Sequence, residues 1–161
     1  MAMASLRLGI GADDIGAGLK DYLLKSLGQD PRVSTVRDYS DDRADPTCSY
    51  PVVAIRVAQA ISRDEIDRAI LVCGTGIGMS ISANKVPGVR AAVVHDGYSA
   101  ERSVLSNNCQ VMTLGSRIIA EVSALRLVNE WLGYEFDPAS PSAAKLQVIE
   151  DYETALERAR D

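Results

Sequence analysis

Leu71-Val72-Cys73-Gly74-Thr75-Gly76-Ile77-Gly78-Met79-Ser80 is the stretch on which the reading of this chain turns. The apolar run Ala69-Ile70-Leu71-Val72 stops at Cys73, glycines occupy alternate positions 74, 76 and 78, and a helix-compatible segment continues through Asn84. Such a run is what a buried strand of a parallel sheet looks like, and its carboxyl end is where open α/β sheets place ligands. The glycines let the backbone turn tightly and aim successive N–H groups at one point. A nest of this kind, continued by a helix N-terminus, stabilises phosphate or a developing oxyanion. The same field favours the thiolate form of an adjacent cysteine. The local reading is a thiolate at Cys73 beside an anion hole built from Gly74, Gly76, Ile77 and Gly78.

Blander readings exist for each part. A cysteine at a strand end also serves as a small buried hydrophobe, and a glycine-rich connection by itself is weak evidence. The spacing does exclude two familiar phosphate loops: it is not G-x-G-x-x-G, and no Gly-Lys-Ser/Thr follows. Neighbouring residues have to carry the argument.

The 161 residues are 47% hydrophobic and 24% charged, which suits one globular domain spanning 1–161. A net charge of −5 argues against a nucleic-acid partner, which needs a basic face. The three cysteines have no framework or zinc-ligand spacing, and the chain has one histidine, His95. These counts fit a reducing compartment and give no metal site. No apolar stretch reaches membrane-spanning length, and Met1–Ser5 lacks the features of a signal peptide, so the expected compartment is the cytoplasm, with no membrane partner.

Strand patterns fall at Leu6–Ala12, Val33–Arg37, Arg68–Cys73, Val89–Val94 and Val111–Leu114. Helical spacing marks Ala17–Leu27, a helix from Pro51 to about Ile61, Tyr98–Leu105 with Asp96 or Ser99 as cap, and Ile118–Leu132. The acidic stretch Asp38–Pro46 reads as solvated loop, and Asp137–Pro141 as a linker. A polar helix over 142–158 follows, with only Leu146, Val148, Ile149, Tyr152 and Leu156 apolar, and it is expected to reach across a symmetry axis to a second copy. Alternation of this kind predicts a Rossmann-like, doubly wound, five-stranded parallel sheet with helices on both faces.

In that fold the loops after the strands gather on one edge. The edge would carry Asp13 and Asp14, Cys73 with Thr75, His95 with Asp96, and Arg117. Carboxylate, thiol with amide donors, imidazole and guanidinium together suit a small anionic, hydroxylated substrate. Each has an incidental alternative: Asp13 as a helix cap, His95 as an exposed cap residue, Arg117 in a surface ion pair.

Gly11-Ala12-Asp13, Tyr50-Pro51, Cys73-Gly74-Thr75-Gly76-Ile77-Gly78, Ala83-Asn84-Lys85, Gly88-Val89-Arg90, Tyr98-Ser99-Ala100, Asn107 and Gly115-Ser116-Arg117 resemble the ribose-5-phosphate isomerase B and galactose-6-phosphate isomerase family. The likeness runs in order from about Arg7 to Tyr152. It implies a metal- and cofactor-free aldose–ketose isomerase acting on a small phosphorylated sugar through a cis-enediolate, as a homodimer or homotetramer with shared sites. By the same resemblance Cys73 is the base, Thr75 relays a proton between the two oxygens, and the amides from Gly74 to Gly78 hold the enediolate. Asp13, Asp14, Tyr50, His95, Ser106 and Asn107 fall at the sugar, Arg117 at the phosphate, and Lys145 comes from the partner's last helix. Met79 stands where some members have a Glu base, which makes this chain similar to the cysteine subtype.

Three positions depart from the family pattern. Asp14 and Ser106 each stand where a histidine is usual, and Pro141 where an additional phosphate-binding Arg is usual. The histidine at position 106 is the proposed acid that opens a furanose ring, and serine has no comparable pKa. Either another residue such as His95 substitutes, or the substrate is already open-chain. A tetrose 4-phosphate is open-chain because its O4 is esterified, and Leu105-Ser106-Asn107-Asn108 also resembles a subgroup acting on erythrulose 4-phosphate. A non-catalytic sugar-phosphate-binding subunit is the alternative, disfavoured by Cys73 and Thr75. A nicotinamide-binding domain is a weaker one, for which the glycine spacing is wrong.

Overall fold

The computed structural model describes residues 5–40 and 49–159. Along the chain these form β1 (Leu6–Ala12), α1 (Ala17–Leu27), β2 (Val33–Asp38), α2 (Tyr50–Ser62), β3 (Arg68–Cys73), α3 (Ile77–Ala83), β4 (Ala91–Val93), α4 (Gly97–Leu105), β5 (Val111–Gly115), α5 (Glu121–Trp131) and α6 (Ala143–Arg158). The acidic loop expected over Asp38–Pro46 lies, beyond Ser40, outside the described residues.

The five strands are parallel, in the order β2-β1-β3-β5-β4. Strand alternation divides the apolar side chains between two faces. Leu8, Ile10, Ile70, Val72, Met112 and Leu114 pack on one face against α1, α4 and α5, where Ala124, Leu127, Val128 and Trp131 recur at helical spacing. Leu71, Cys73 and Val111 pack on the other against α2 and α3, through Val53, Ala54, Val57, Ala58 and Met79. Met79 is fully buried here, so its side chain belongs to the core rather than to the turn above it. The doubly wound sheet read from the sequence is present.

Two elements differ from the expected bounds by more than one residue, each for a reason in the hydrogen bonding. β4 is three residues long rather than six, because the Val89 N–H turns back to the Val86 carbonyl and the Arg90 N–H is taken by the Gln110 side chain. Asn84 then pairs with Ala91 through both amide atoms, at 2.8 and 2.9 Å, closing the open side of this edge strand. α5 starts at Glu121 rather than Ile118, because Ile118 and Ile119 both donate to the Gly115 carbonyl in a turn and Ala120 is extended. Of the two cap candidates for α4, Asp96 serves, accepting the Ser99 N–H at 2.7 Å.

Lys20 is 2% exposed beside the apolar stripe of α1 and is ion-paired with Asp38 and Asp21. Asp38 also accepts from the backbone and hydroxyl of Ser40. A buried cation is tolerated only with such partners, and this one pins the end of β2 where the chain sets out toward Tyr50. α6 buries only Leu146, while Val148, Ile149, Tyr152 and Leu156 are exposed. Among the described residues its polar contacts with the rest of the fold are Glu153, which accepts the Gly88 N–H, and Glu150, which pairs with Arg90 just ahead of β4.

Candidate active site

β3 and β5 set the geometry. Their register pairs Cys73 with Gly115, while β1 flanks the other side through Ala12 and Val72. Beyond Cys73 the chain must reverse into α3 while passing over β5. Gly76 does this with φ +79°, and a Cβ there would lie 3.0–3.2 Å from the backbone of Thr113 and Leu114. Only glycine meets both conditions. The turn folds the Gly76 N–H onto Cys73 Sγ at 3.1 Å, in a buried contact. An amide proton aimed at sulfur stabilises negative charge there. The Ile77 N–H approaches Thr75 Oγ1 at 3.3 Å. Of the four expected anion-hole residues, then, two spend their N–H groups inside the loop. Among the described residues the N–H groups of Gly74 and Gly78 meet no protein acceptor. Thr75 is exposed at the rim.

Three further loops are fastened to this turn. The Ser116 N–H donates to the Cys73 carbonyl at 2.8 Å and the Arg117 N–H to the Gly74 carbonyl at 3.1 Å. The Ser116 hydroxyl donates to the Ile15 carbonyl at 3.1 Å, tying in the Asp13-Asp14-Ile15 turn. Asp13 Oδ1 accepts the Gly16 N–H at 2.8 Å, which closes the turn ahead of α1; the helix itself is capped by Gly16 with no side-chain bond, so Asp13 is not its cap. Asp14 is exposed. Tyr50, at the first turn of α2, lies against Gly78, where an added Cβ would come within 2.4 Å of its ring. Arg117 is exposed, carries no ion pair among the described residues, and its stem passes beside Gly74.

His95 sits half-buried at the end of β4, and its Nε2 accepts the Gly115 N–H at 2.8 Å. A backbone N–H only donates, so Nε2 carries the lone pair and the neutral ring is the Nδ1–H tautomer. Burial holds its pKa below the usual histidine value, against the opposing pull of Asp96. The structure thus brings Asp13, Asp14, Tyr50, Cys73, Thr75, His95 and Arg117 to one edge.

It does not bring Ser106, Asn107 or Lys145 there. α4 runs back along the sheet, and its C-terminal loop lies at the opposite edge, where Arg90 Nε donates to the Asn108 carbonyl and the Gln110 N–H to the Arg90 carbonyl. From Val111 to Gly115 the strand climbs four residues, about 13 Å at 3.3 Å each, before it reaches the level of Cys73. Lys145 belongs to α6, whose contacts are on that same far edge. Ser106 accepts from Arg102, and the Asn107 amide donates to the Arg102 carbonyl. Sequence reasoning gave Ser116 no role of its own and did not see the Gly115 N–H as the target of His95. The only sequence signal for these fasteners was Gly115-Ser116 directly after an apolar strand.

A parallel sheet with a thiol and amide donors at the end of its central strand, flanked by carboxylates, a tyrosine and a guanidinium with no ion pair among the described residues, is an α/β arrangement that suits a small anionic, hydroxylated ligand. A family model described as Ribose/Galactose Isomerase matches residues 8–149. The D-erythrulose-4-phosphate isomerase 2 of Mycolicibacterium smegmatis is 50% identical over 151 residues, 94% of this chain and 99% of that one. The D-erythrulose-4-phosphate isomerase of Pectobacterium atrosepticum is 45% identical, covering 92% and 95%. Among solved structures, that of Clostridium thermocellum ribose-5-phosphate isomerase B superposes with a TM-score of 0.85 at 36% identity, covering 94% of this chain and 99% of that one. This chain belongs to the ribose/galactose isomerase family, and it is an aldose–ketose isomerase of sugar phosphates.

Proposed function

We propose that the substrate is an open-chain tetrose phosphate, with D-erythrulose 4-phosphate and D-erythrose 4-phosphate as the interconverted pair. One observation carries the choice: the chain has a single imidazole, and its Nε2 is spent on the Gly115 N–H. Position 106, where the resemblance calls for a ring-opening histidine, is serine. A pentose phosphate needs that acid, whereas a tetrose 4-phosphate cannot close its ring. The names of the two relatives at 50% and 45% identity support the same substrate.

In this reading the Cys73 thiolate removes the proton from the carbon next to the carbonyl. The electrons form the carbon–carbon double bond, and the carbonyl oxygen becomes an enediolate oxygen held by the amides of Gly74 and Gly78. Thr75 moves the hydroxyl proton from one oxygen to the other, and the thiol returns its proton to the neighbouring carbon. Gly76 steadies the sulfur during the exchange. Asp13 and Asp14 orient hydroxyls, Tyr50 closes the pocket, and Arg117 takes the phosphate. No metal or cofactor has a part in this scheme. The chain works as one domain over 1–161 in a reducing cytoplasm, with α6 as the dimerisation element.

The far-edge location of Ser106, Asn107 and Lys145 supports a site completed by a second copy. Mixing inactive Cys73→Ala and Asn107→Ala proteins then regains about a quarter of wild-type activity, because a symmetric hybrid dimer has one intact site. No recovery rejects the shared site. For the substrate, kcat/KM on D-erythrulose 4-phosphate should exceed that on D-ribose 5-phosphate by on the order of 100-fold, the lower range of what a positioned acid supplies. Equal efficiency on ribose 5-phosphate overturns the tetrose assignment.

A further inference from the structure

We propose that His95 is a positioning residue, whose neutral imidazole holds Gly115 in place and through it sets both the Thr75 turn and the Arg117 loop. The inference rests on the isomerase reading above but not on the choice of sugar.

Val94 still donates to the Thr113 carbonyl at 3.0 Å, so a continuing parallel pair would send the Gly115 N–H to the Val94 carbonyl. β4 has turned away by then, and the N–H goes to His95 Nε2 instead. The side chain therefore stands in for a strand that has ended. Without it, a donor at the end of a buried strand loses its acceptor, which is costly.

Gly115 is the point where the site's loops meet. A Cβ there would lie 2.7 Å from the Thr75 Cα and 2.8 Å from its carbonyl carbon, so the two backbones are in direct contact. The Gly115 carbonyl accepts from Ile118 and Ile119, which closes the turn carrying Arg117, and the next two N–H groups bind the Cys73 and Gly74 carbonyls. Movement of Gly115 is passed to the relay hydroxyl on one side and the guanidinium on the other. Reacting groups misplaced by 1 Å cost about 100-fold in rate.

The contact is also conditional on charge. Protonation converts Nε2 from acceptor to donor and sets it against the Gly115 N–H. Burial of the ring works against that protonation, and Asp96 works for it. From α5 the charged groups lining the same groove are Arg126 and Glu130, which pair with each other at 3.1 Å. From β3 the titratable neighbour is Cys73, in register with Gly115. Because Cys73 also exchanges a proton with the substrate in the proposed reaction, phosphate binding and ring spectra are read beside kcat/KM.

The experiment uses the full-length protein and two substitutions. His95→Gln places Oε1 where Nε2 sits and accepts at every pH, whereas His95→Leu offers no acceptor. The expected result is a fall in kcat/KM of about tenfold or more for His95→Leu, recovered in large part by His95→Gln. Each is measured on whichever of D-erythrulose 4-phosphate and D-ribose 5-phosphate the wild type turns over, so failure of the tetrose assignment leaves the comparison intact. Binding of inorganic phosphate, followed by calorimetry from pH 7.5 to 5, should weaken more steeply in wild type than in His95→Gln. In ¹⁵N spectra the His95 ring should titrate as the Nδ1–H tautomer, with the Gly115 amide shifting at the same midpoint. Equal losses in the two variants, superimposable phosphate profiles, or a Gly115 amide indifferent to His95 protonation overturns the proposal. Melting curves of both variants guard against misfolding, and the ring and amide shifts of wild type decide the matter even if His95→Leu does not fold. A wild type inactive on both sugars would reject the functional reading, while the spectra would still judge this one.

Discussion

At the amino-terminal edge of the sheet Arg7 reaches both Asp67 and Asp64, Arg68 caps the carbonyls of Trp131 and Tyr134 at 2.9 and 2.6 Å, and Arg32 pairs with Asp30. At the centre of the carboxyl-terminal edge Asp14 is exposed, and among the described residues Arg117 has no ion pair and the N–H groups of Gly74 and Gly78 have no protein acceptor. The cysteines repeat the contrast. The Cys109 thiol, just ahead of β5, is buried and pushed up to about 11 despite Arg90 nearby; Cys73, at the end of β3, accepts a hydrogen bond from the Gly76 N–H. One edge spends its charged groups on holding the fold, and the other leaves the Arg117 guanidinium and the Gly74 and Gly78 amides without protein partners among the described residues. Loops at strand carboxyl ends can do this because the scaffold beneath them is already paired.

The sharpest way to break the contrast is Cys73→Ala. It should lower kcat by on the order of 1,000-fold or more, within the range a positioned base supplies, with sugar phosphate binding by calorimetry and the melting temperature both kept. Substantial residual turnover would remove Cys73 as the base. The mirror experiment is Arg68→Met on the opposite edge. It strips two carbonyls at the end of α5 of their donor and removes the guanidinium from the Trp131 ring, 5.0 Å away. A loss of about 2–4 kcal/mol in a denaturant titration is expected, as for a buried charged hydrogen bond, with kcat of the folded protein unchanged. Unchanged stability would mean that the edge is not held by these contacts.

What was legible in the sequence divides along similar lines. β1, α1 and β3 follow from alternation and 3.6-residue spacing, because their register depends on residues close in the chain. Cys73 to Gly78 could be read for the same reason: one turn holds the thiol and its donors. The shortening of β4 could not, since it depends on Gln110 arriving from twenty residues away to take the Arg90 N–H. The role of His95 was hidden by strand order. β5 lies inside β4, so the end of the fourth strand faces the end of the fifth, and the composition of neither strand says so. The placing of Ser106 and Asn107 far from Cys73 follows from the return direction of α4, a property of the whole sheet rather than of that segment.

Arg117→Gln tests the middle of the range. The phosphate is remote from the reacting carbons, so its contact stabilises ground and transition states alike, and KM should rise by about tenfold with a smaller change in kcat. A KM that does not move would transfer the phosphate to another cation. Affinity for inorganic phosphate should fall in parallel, which separates loss of this contact from a general disturbance of the turn.

The smallest effect belongs to the exposed pairs of the amino-terminal edge, and pH reveals it. The Arg7 guanidinium, hydrogen-bonded to the Asp67 carboxylate, holds that group below the usual carboxylate range. A carboxylate whose folded pKa is depressed adds stability above its unfolded value, near 3.9, and loses it as pH falls through the folded value. Asp67 should therefore contribute nothing to any change in stability between pH 7 and pH 5, and should begin to cost stability only below about pH 4. Its side chain is about one-third exposed and solvent screens the pair, so the expected contribution is under about 1 kcal/mol. In urea titrations Asp67→Asn should lower stability slightly at pH 7 and shrink the difference from wild type as pH drops toward 3. A difference that grows in acid would reverse the sign and place the stabilising charge elsewhere. Activity at pH 7 should be the same in both proteins, because the pair lies at the edge of the sheet opposite Cys73.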